Sequence, residues 1–127
     1  MATMMKSNLA EPESFLPLTP AVFHIMLALT DGEQHGYAIM QSVQDATEGR
    51  MRMGPGTLYG TIKRMIADGL IEESAERPDP ARDDERRRYY RLSGFGLKVA
   101  ALEANRLETL VRSARRKNLL GLKGARA

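Results

Sequence analysis

The 127-residue sequence has no cysteine and no tryptophan, only two histidines, and 6% aromatic residues. Without thiols there is no thiolate nucleophile, no disulfide framework and no cysteine-based zinc site. Without indole, a pocket that stacks a ligand on Trp is excluded. His24 sits inside an apolar run and His35 near a helix start, and neither has the ligand spacing of a catalytic zinc site. There is no Gly-rich phosphate loop and no convergent acid, base and nucleophile, so no catalytic residue, metal or cofactor is expected, and the chain does not read as an enzyme. Long apolar runs are missing too. The longest, Ala21 to Leu29, is interrupted by His24 and is far shorter than the roughly 20 residues that cross a bilayer. No basic, apolar and small-residue leader pattern is visible, and a cytoplasmic protein without membrane contact is expected.

What is present is ordinary for a water-exposed fold: 43% hydrophobic and 28% charged residues, in a length that suits one domain plus an appendage. The charge is unevenly placed. Residues 1–76 carry five Lys/Arg against ten Asp/Glu, net −5, and residues 77–127 carry fourteen against six, net +8, within an overall +3. A basic second half is suited to a polyanionic partner, although a solvated helix face and a basic tail explain it as well.

Along the chain, residues 1–17 show little periodicity and read as a flexible arm. Thr19-Pro20 is a helix start, since Thr caps free amides and Pro suits the first helical position. The first helix runs from Pro20 to about Thr30, and Val22, Phe23, Met26, Leu27 and Leu29 leave it almost no polar face, as for burial on several sides. After Asp31-Gly32, a second helix spans about His35 to Thr47 and is closed by Gly49. Arg50-Met51-Arg52-Met53 alternates charged and apolar residues and predicts a brief strand. Gly54-Pro55 opens a third helix to about Asp68, with Leu58, Ile62, Met65 and Ile66 on its core stripe. Leu70–Ser74 and Arg87–Leu92 are strand-like and flank a charged segment, which makes a hairpin with a long solvated tip. Period two puts Tyr90 and Leu92 on the core face and Tyr89 and Arg91 on the other. Ser93 caps a fourth helix to about Asn118.

The fold class is therefore mainly α with a small β-hairpin: three helices followed by a two-stranded wing, the order of a winged helix-turn-helix over residues 18–92. Residues 93–118 form a long further helix and 119–127 a flexible basic tail. In such folds the third helix enters the major groove and the wing lies along the neighbouring backbone. Its N-terminal amides and dipole favour an anion, Gly56 leaves space, and Thr57, Tyr59 and Gly60 lie near the groove. Lys63 and Arg64, one turn on, reach phosphates or guanine edges. Tyr59 has a second reading, packing against Tyr37 to hold the second helix on the third; Tyr37 reads mainly as structural, with its hydroxyl in reach of phosphate. Arg86, Arg87 and Arg88 are a cation cluster for phosphates, or else they pair internally with Asp79, Asp83, Asp84 and Glu85. On the fourth helix Leu97, Ala100, Ala101, Ala104, Leu107, Val111 and Ala114 make an apolar stripe beyond what the first three helices need, which suits burial against a second copy.

Several motifs sharpen this reading: His35-Gly36-Tyr37-Ala38-Ile39, Gly56-Thr57-Leu58-Tyr59, Asp68-Gly69-Leu70-Ile71 and Arg88-Tyr89-Tyr90-Arg91-Leu92-Ser93 with Gly96 close behind. Together they resemble the PadR family of bacterial transcriptional regulators over roughly Leu18 to Leu107. The resemblance implies a homodimeric winged-helix regulator, usually a repressor, that binds double-stranded DNA at a palindromic operator and whose affinity is often lowered by a small aromatic or hydrophobic effector. Two positions depart from the family pattern: Gly54 stands where Ser commonly caps the third helix, and Gly60 stands where Pro is common. The rival reading is a winged-helix module used only for protein contacts, which the acidic first half favours.

Overall fold

The structure, a computed structural model, describes residues 10–79 and 82–122, and for residues 77–79 and 82–86 the backbone path alone. After a 3₁₀ turn at Pro12–Phe15 come α1 (Pro20–Leu29), β1 (Gln34–His35), α2 (Gly36–Ala46), α3 (Pro55–Ala67), β2 (Ile71–Asp79), β3 (Arg82–Leu92) and α4 (Gly94–Arg116). The strands form an antiparallel sheet in the order β1-β3-β2. Helices and a small sheet in this sequence match the α+β winged arrangement expected from the pattern.

The boundaries have local causes. The Thr19 hydroxyl accepts a hydrogen bond from the Val22 amide at 3.3 Å ahead of Pro20. His35 caps α2 through its ring, Nδ1 accepting from the Ala38 amide at 3.2 Å. Ser93 both caps α4, accepting from the Gly96 amide at 2.8 Å, and donates to the Gly69 carbonyl at 2.5 Å, so one hydroxyl ties the helix start to the turn before β2. That turn needs glycine: Gly69 has φ +79°, a left-handed conformation that costs a side-chain-bearing residue free energy. Close by, a Cβ on Gly96 would collide with the Leu70 carbonyl, which is how near α4 lies to the hairpin.

The core gathers Ile25, Met26 and Leu29 of α1, Ile39 and Val43 of α2, Leu58, Ile62 and Met65 of α3, Leu70 and Ile71, Tyr90, and Val99 and Ala100 of α4. At about 25 cal/mol per Å² of apolar surface this burial is the main favourable contribution to folding. It also fixes the outward face of every helix.

Several expectations are corrected. Arg50–Met53 forms no strand. Its alternation is real, since Met51 and Met53 pack on the core while Arg50 and Arg52 face out. The free edge of β3, however, is taken by Gln34–His35, paired with Tyr90 and Tyr89. That same strand buries Tyr89, expected on the outer face. His35 stands edge-on to its ring with centroids 5.4 Å apart, and Tyr89 and Tyr90 are both buried. The register slips between Glu73 and Ala75, so the wing bends there. The wing's strands also run longer than read, to Asp79 and from Arg82.

Two further corrections concern the ends of the core. Helix α1 is not buried all round: Ile25, Met26, Ala28 and Leu29 face inward, while Leu27 is exposed. The arm expected over residues 1–17 is ordered from Pro12 onward. Phe15 meets Phe95 edge-on at 5.6 Å, and Leu16 and Leu18 pack on the core, because the first turns of α4 offer them an apolar surface. Residues 1–9 and 123–127 of the expected arm and tail lie outside the described residues.

Candidate nucleic-acid interface

Helix α3 has two unlike faces. Leu58, Thr61, Ile62 and Met65 are buried, and Gly56, Thr57, Tyr59, Lys63 and Arg64 are exposed, with Gly60 between. Gly56, Gly60, Lys63 and Arg64 recur at the i, i+4, i+7, i+8 interval that aligns residues along one side of a helix. Among the described residues no side chain caps the N-terminus of α3, since Gly54 has none to offer, which leaves the first amides of the helix without a capping acceptor. A Cβ at Gly54 or at Gly56 would have no atom within 4 Å. The chain's own packing therefore does not require glycine at either position.

The cations differ in how they are held. Arg64 folds back along the helix, its Nη2 donating to the Thr61 hydroxyl at 3.3 Å. Among the described residues no carboxylate pairs with Lys63 or Arg64. On the wing, Arg88 faces Glu73 at 3.9 Å and Arg91 faces Glu72 at 3.5 Å across the strands, all four exposed. Such exposed pairs are worth only about 0–1 kcal/mol and give way readily to a stronger anion. Arg87 is half-buried, and the Arg86 side chain lies outside the described residues, as do the side chains of Asp79, Asp83, Asp84 and Glu85.

The two tyrosines read as α2–α3 contacts are arranged differently from expectation. Tyr37 is 49% and Tyr59 44% exposed, and neither is in ring contact with another aromatic among the described residues. Tyr59 lies instead on Gly36, the first residue of α2: a Cβ there would come within 2.6 Å of its Cζ and 2.7 Å of its Cε1. Gly36 is a residue to which sequence reasoning assigned no role, although it stands between the two residues of the His35-Gly36-Tyr37 motif that did receive attention. Burial raises the Tyr90 hydroxyl's pKa, the nearby Tyr59 and Glu73 add to that, and Arg88 opposes it.

On α4 the stripe expected to join two copies divides. Ala100 belongs to the chain's own core, beside Gly96, Val99 and Glu103. Leu97, Ala101, Ala104 and Val111 face out, with Leu107 and Ala114 half-buried; Leu97 is 56% and Leu110 53% exposed. Glu103 was also not singled out. It is buried, takes hydrogen bonds from Arg106 Nε at 2.5 Å and Nη2 at 3.0 Å, and accepts the Leu18 amide at 3.0 Å. The Arg106 hydrogen bonds hold its carboxyl below the usual range; burial works against this, and the Leu18 amide supports it. No periodicity flags such a residue, because it is a polar group placed on a core-facing position.

Among the described residues no group of three or more His, Asp or Glu could hold a metal ion, and no helix is long and apolar enough to cross a membrane.

The same architecture recurs in known proteins. The chain is 35% identical over 89 residues to the transcriptional regulator Rv3488 of Mycobacterium tuberculosis, an overlap of 70% of this chain and 77% of that one. It is 31% identical over 86 residues to an uncharacterized 37.1 kDa protein in a transposon of Streptomyces fradiae, 68% of this chain but only 22% of that longer protein's length. Among solved structures it superposes on a PadR family transcription regulator from Clostridium difficile with a TM-score of 0.64 at 20% identity, covering 77% of this chain and 97% of that one. It also superposes on a PadR-like regulator from Bacillus cereus with a TM-score of 0.63 at 19% identity, covering 87% and 96%. The matching family is one of transcriptional regulators, which are not enzymes. Residues 25–101, from the core of α1 through the wing to the first turns of α4, match the PadR-like transcriptional regulator family, and the chain belongs to it.

Proposed function

We propose that this chain is a sequence-specific DNA-binding repressor that acts as a homodimer on a palindromic operator. The observation that carries the reading is the outward face of α3: a row of Gly56, Gly60, Lys63 and Arg64, cationic, without carboxylate partners among the described residues and opposite a buried face. The side-chain-free start of the helix adds to it. Since no protein atom comes near a Cβ at Gly54 or Gly56, close approach by a sugar-phosphate backbone is the reason we assign for glycine there. Thr57 and Tyr59 flank this row. Arg86, Arg87 and Arg88 are assigned to phosphates beside the groove, and Arg88 exchanges its weak pairing with Glu73 for them. Tyr37, exposed at the start of α2, is placed beside the same backbone.

The second copy is assigned to the outward stripe of Leu97, Ala101, Ala104, Leu107, Val111 and Ala114, with Ala100 removed from the set. Two-fold pairing would present two α3 helices to half-sites about 34–36 Å apart, or a multiple of that. A cleft of about 280 Å³ between the end of α1 and the start of α4 is lined by Leu29, Leu92 and Leu97 together with Glu33 and Arg91. It abuts the stripe, and we place a small hydrophobic or aromatic effector there.

The test is binding to a duplex from the promoter region of the protein's own gene at two salt concentrations, with the Lys63→Ala/Arg64→Ala double variant alongside. Affinity falling steeply with salt, protection of a palindrome, and a weaker but still dimeric variant are expected. Cross-strand neutralisation of the wing by Glu72 and Glu73 favours the second reading, a protein-contact module; salt-insensitive binding without sequence preference would establish that reading instead.

A further inference from the structure

Gly36 is buried at the first position of α2, yet its backbone is not among those in the left-handed region, so its conformation is one any residue adopts. An alanine there would ordinarily favour the helix. What a side chain there would meet is Tyr59: its Oη, Cζ and Cε1 occupy the place a Cβ would take, so an alanine has to displace the ring. The same hydroxyl lies close enough to Tyr90 to be felt electrostatically, and Tyr90 pairs with Gln34 immediately ahead of α2. The ring thus fills the space over the first residue of α2, the helix that follows directly on the strand paired with Tyr89 and Tyr90. Because the ring is half-exposed, it can rotate outward into solvent without opening the core. Its place is held by fit against Gly36.

Resting on the reading of α3 as the DNA-contacting helix, we propose that Tyr59 is a positioning residue whose ring, seated on the bare Cα of Gly36, sets how α3 is presented beside α2 and the wing. The glycine in the His35-Gly36-Tyr37 motif is then the socket for that ring.

A double-mutant cycle tests this, using the wild type, Gly36→Ala, Tyr59→Leu and both together, with the dissociation constant for the promoter duplex and the thermal midpoint measured for each. Gly36→Ala is expected to weaken binding about tenfold in the wild-type background and less than about threefold in the Tyr59→Leu background, because the obstruction is gone. Its effect on the midpoint should change sign, from lowering or neutral to raising, as the helix preference of alanine is released. Equal factors in both backgrounds would overturn the proposal. Tyr59→Phe keeps the ring and supplies a second measurement: binding within about threefold of wild type is expected, whereas a loss as large as that of Tyr59→Leu would mean that the hydroxyl itself contacts DNA. Should the wild type show no preference for the duplex, the reading of α3 fails separately, and additivity or non-additivity of the four midpoints still decides whether Gly36 and Tyr59 are coupled.

Discussion

Helices α3 and α4 each give one face to the same core, but they leave different things outside. Helix α3 exposes glycine, threonine, lysine and arginine with Tyr59 and Ile66 among them, while α4, besides its charged residues, exposes Leu97, Leu110 and Val111 along with small alanines. An exposed cation is content in water and is attracted to a polyanion; an exposed leucine row is stabilised only by another apolar surface. On the proposed reading the two helices take two kinds of partner, nucleic acid for the first and a second copy for the second. With both on one core, pairing through α4 would then determine the spacing of the two α3 helices.

The comparison can be broken most forcefully from the inside. Leu58 is fully buried on α3, and Leu58→Ala is expected to cost about 2–5 kcal/mol of stability, lowering the thermal midpoint and weakening DNA binding together. Retention of full stability would show that α3 is not held by its inner face. On α4 the corresponding experiment concerns association. Leu107→Asp places a charge in the stripe assigned to the second copy, and sedimentation or light scattering should report monomers whose fold is intact by circular dichroism. A variant that remains dimeric would move the subunit contact off this stripe.

A subtler contrast separates folding from binding within α3 itself. Because a Cβ at Gly56 meets no protein atom, Gly56→Ala is expected to leave stability unchanged or raise it by up to about 1 kcal/mol, yet to weaken operator binding. Opposite signs in unfolding and binding measurements would mark the position as one reserved for the ligand. A variant that bound as well as the wild type would remove Gly56 from the interface.

Much of this layout was legible in the sequence because it rests on periodicity and punctuation. The Thr19-Pro20, Gly54-Pro55 and Ser93 starts, the glycines after α2 and α3, and the apolar stripe of α3, except for Ile66, which the pattern places in the core and the structure leaves exposed, all act through neighbours within a turn. What was not legible depends on pairing at a distance. Gln34–His35 is a two-residue strand that exists only because β3 has a free edge, and with it Tyr89 became buried. Ala100 and Ala101 look alike in an amphipathic stripe, but α4 meets α1 and the 3₁₀ turn at an angle that buries only the first. Gly36 and Tyr59 are 23 positions apart in the numbering, and their contact has no local signature.

The smallest expected effect concerns how the beginning of the chain is fastened to α4. The Glu103 carboxylate accepts Arg106 Nε at Oε1 and both Arg106 Nη2 and the Leu18 amide at Oε2, and its pKa is lowered chiefly by the Arg106 hydrogen bonds. A carboxylate depressed in the folded state stabilises it fully above the ordinary carboxylate pKa of about 4.3, and loses that contribution as the pH falls through the lower folded value. Glu103→Gln keeps an acceptor for Leu18 but not the charge for Arg106. It should therefore lower the thermal midpoint only slightly near neutrality, since Arg106 is partly solvated. The gap to wild type should close on acidification below the ordinary carboxylate range. A gap that persisted undiminished in acid would mean that Glu103 acts through shape and not through charge, and that the ordered start of the chain is held mainly by Phe15 against Phe95.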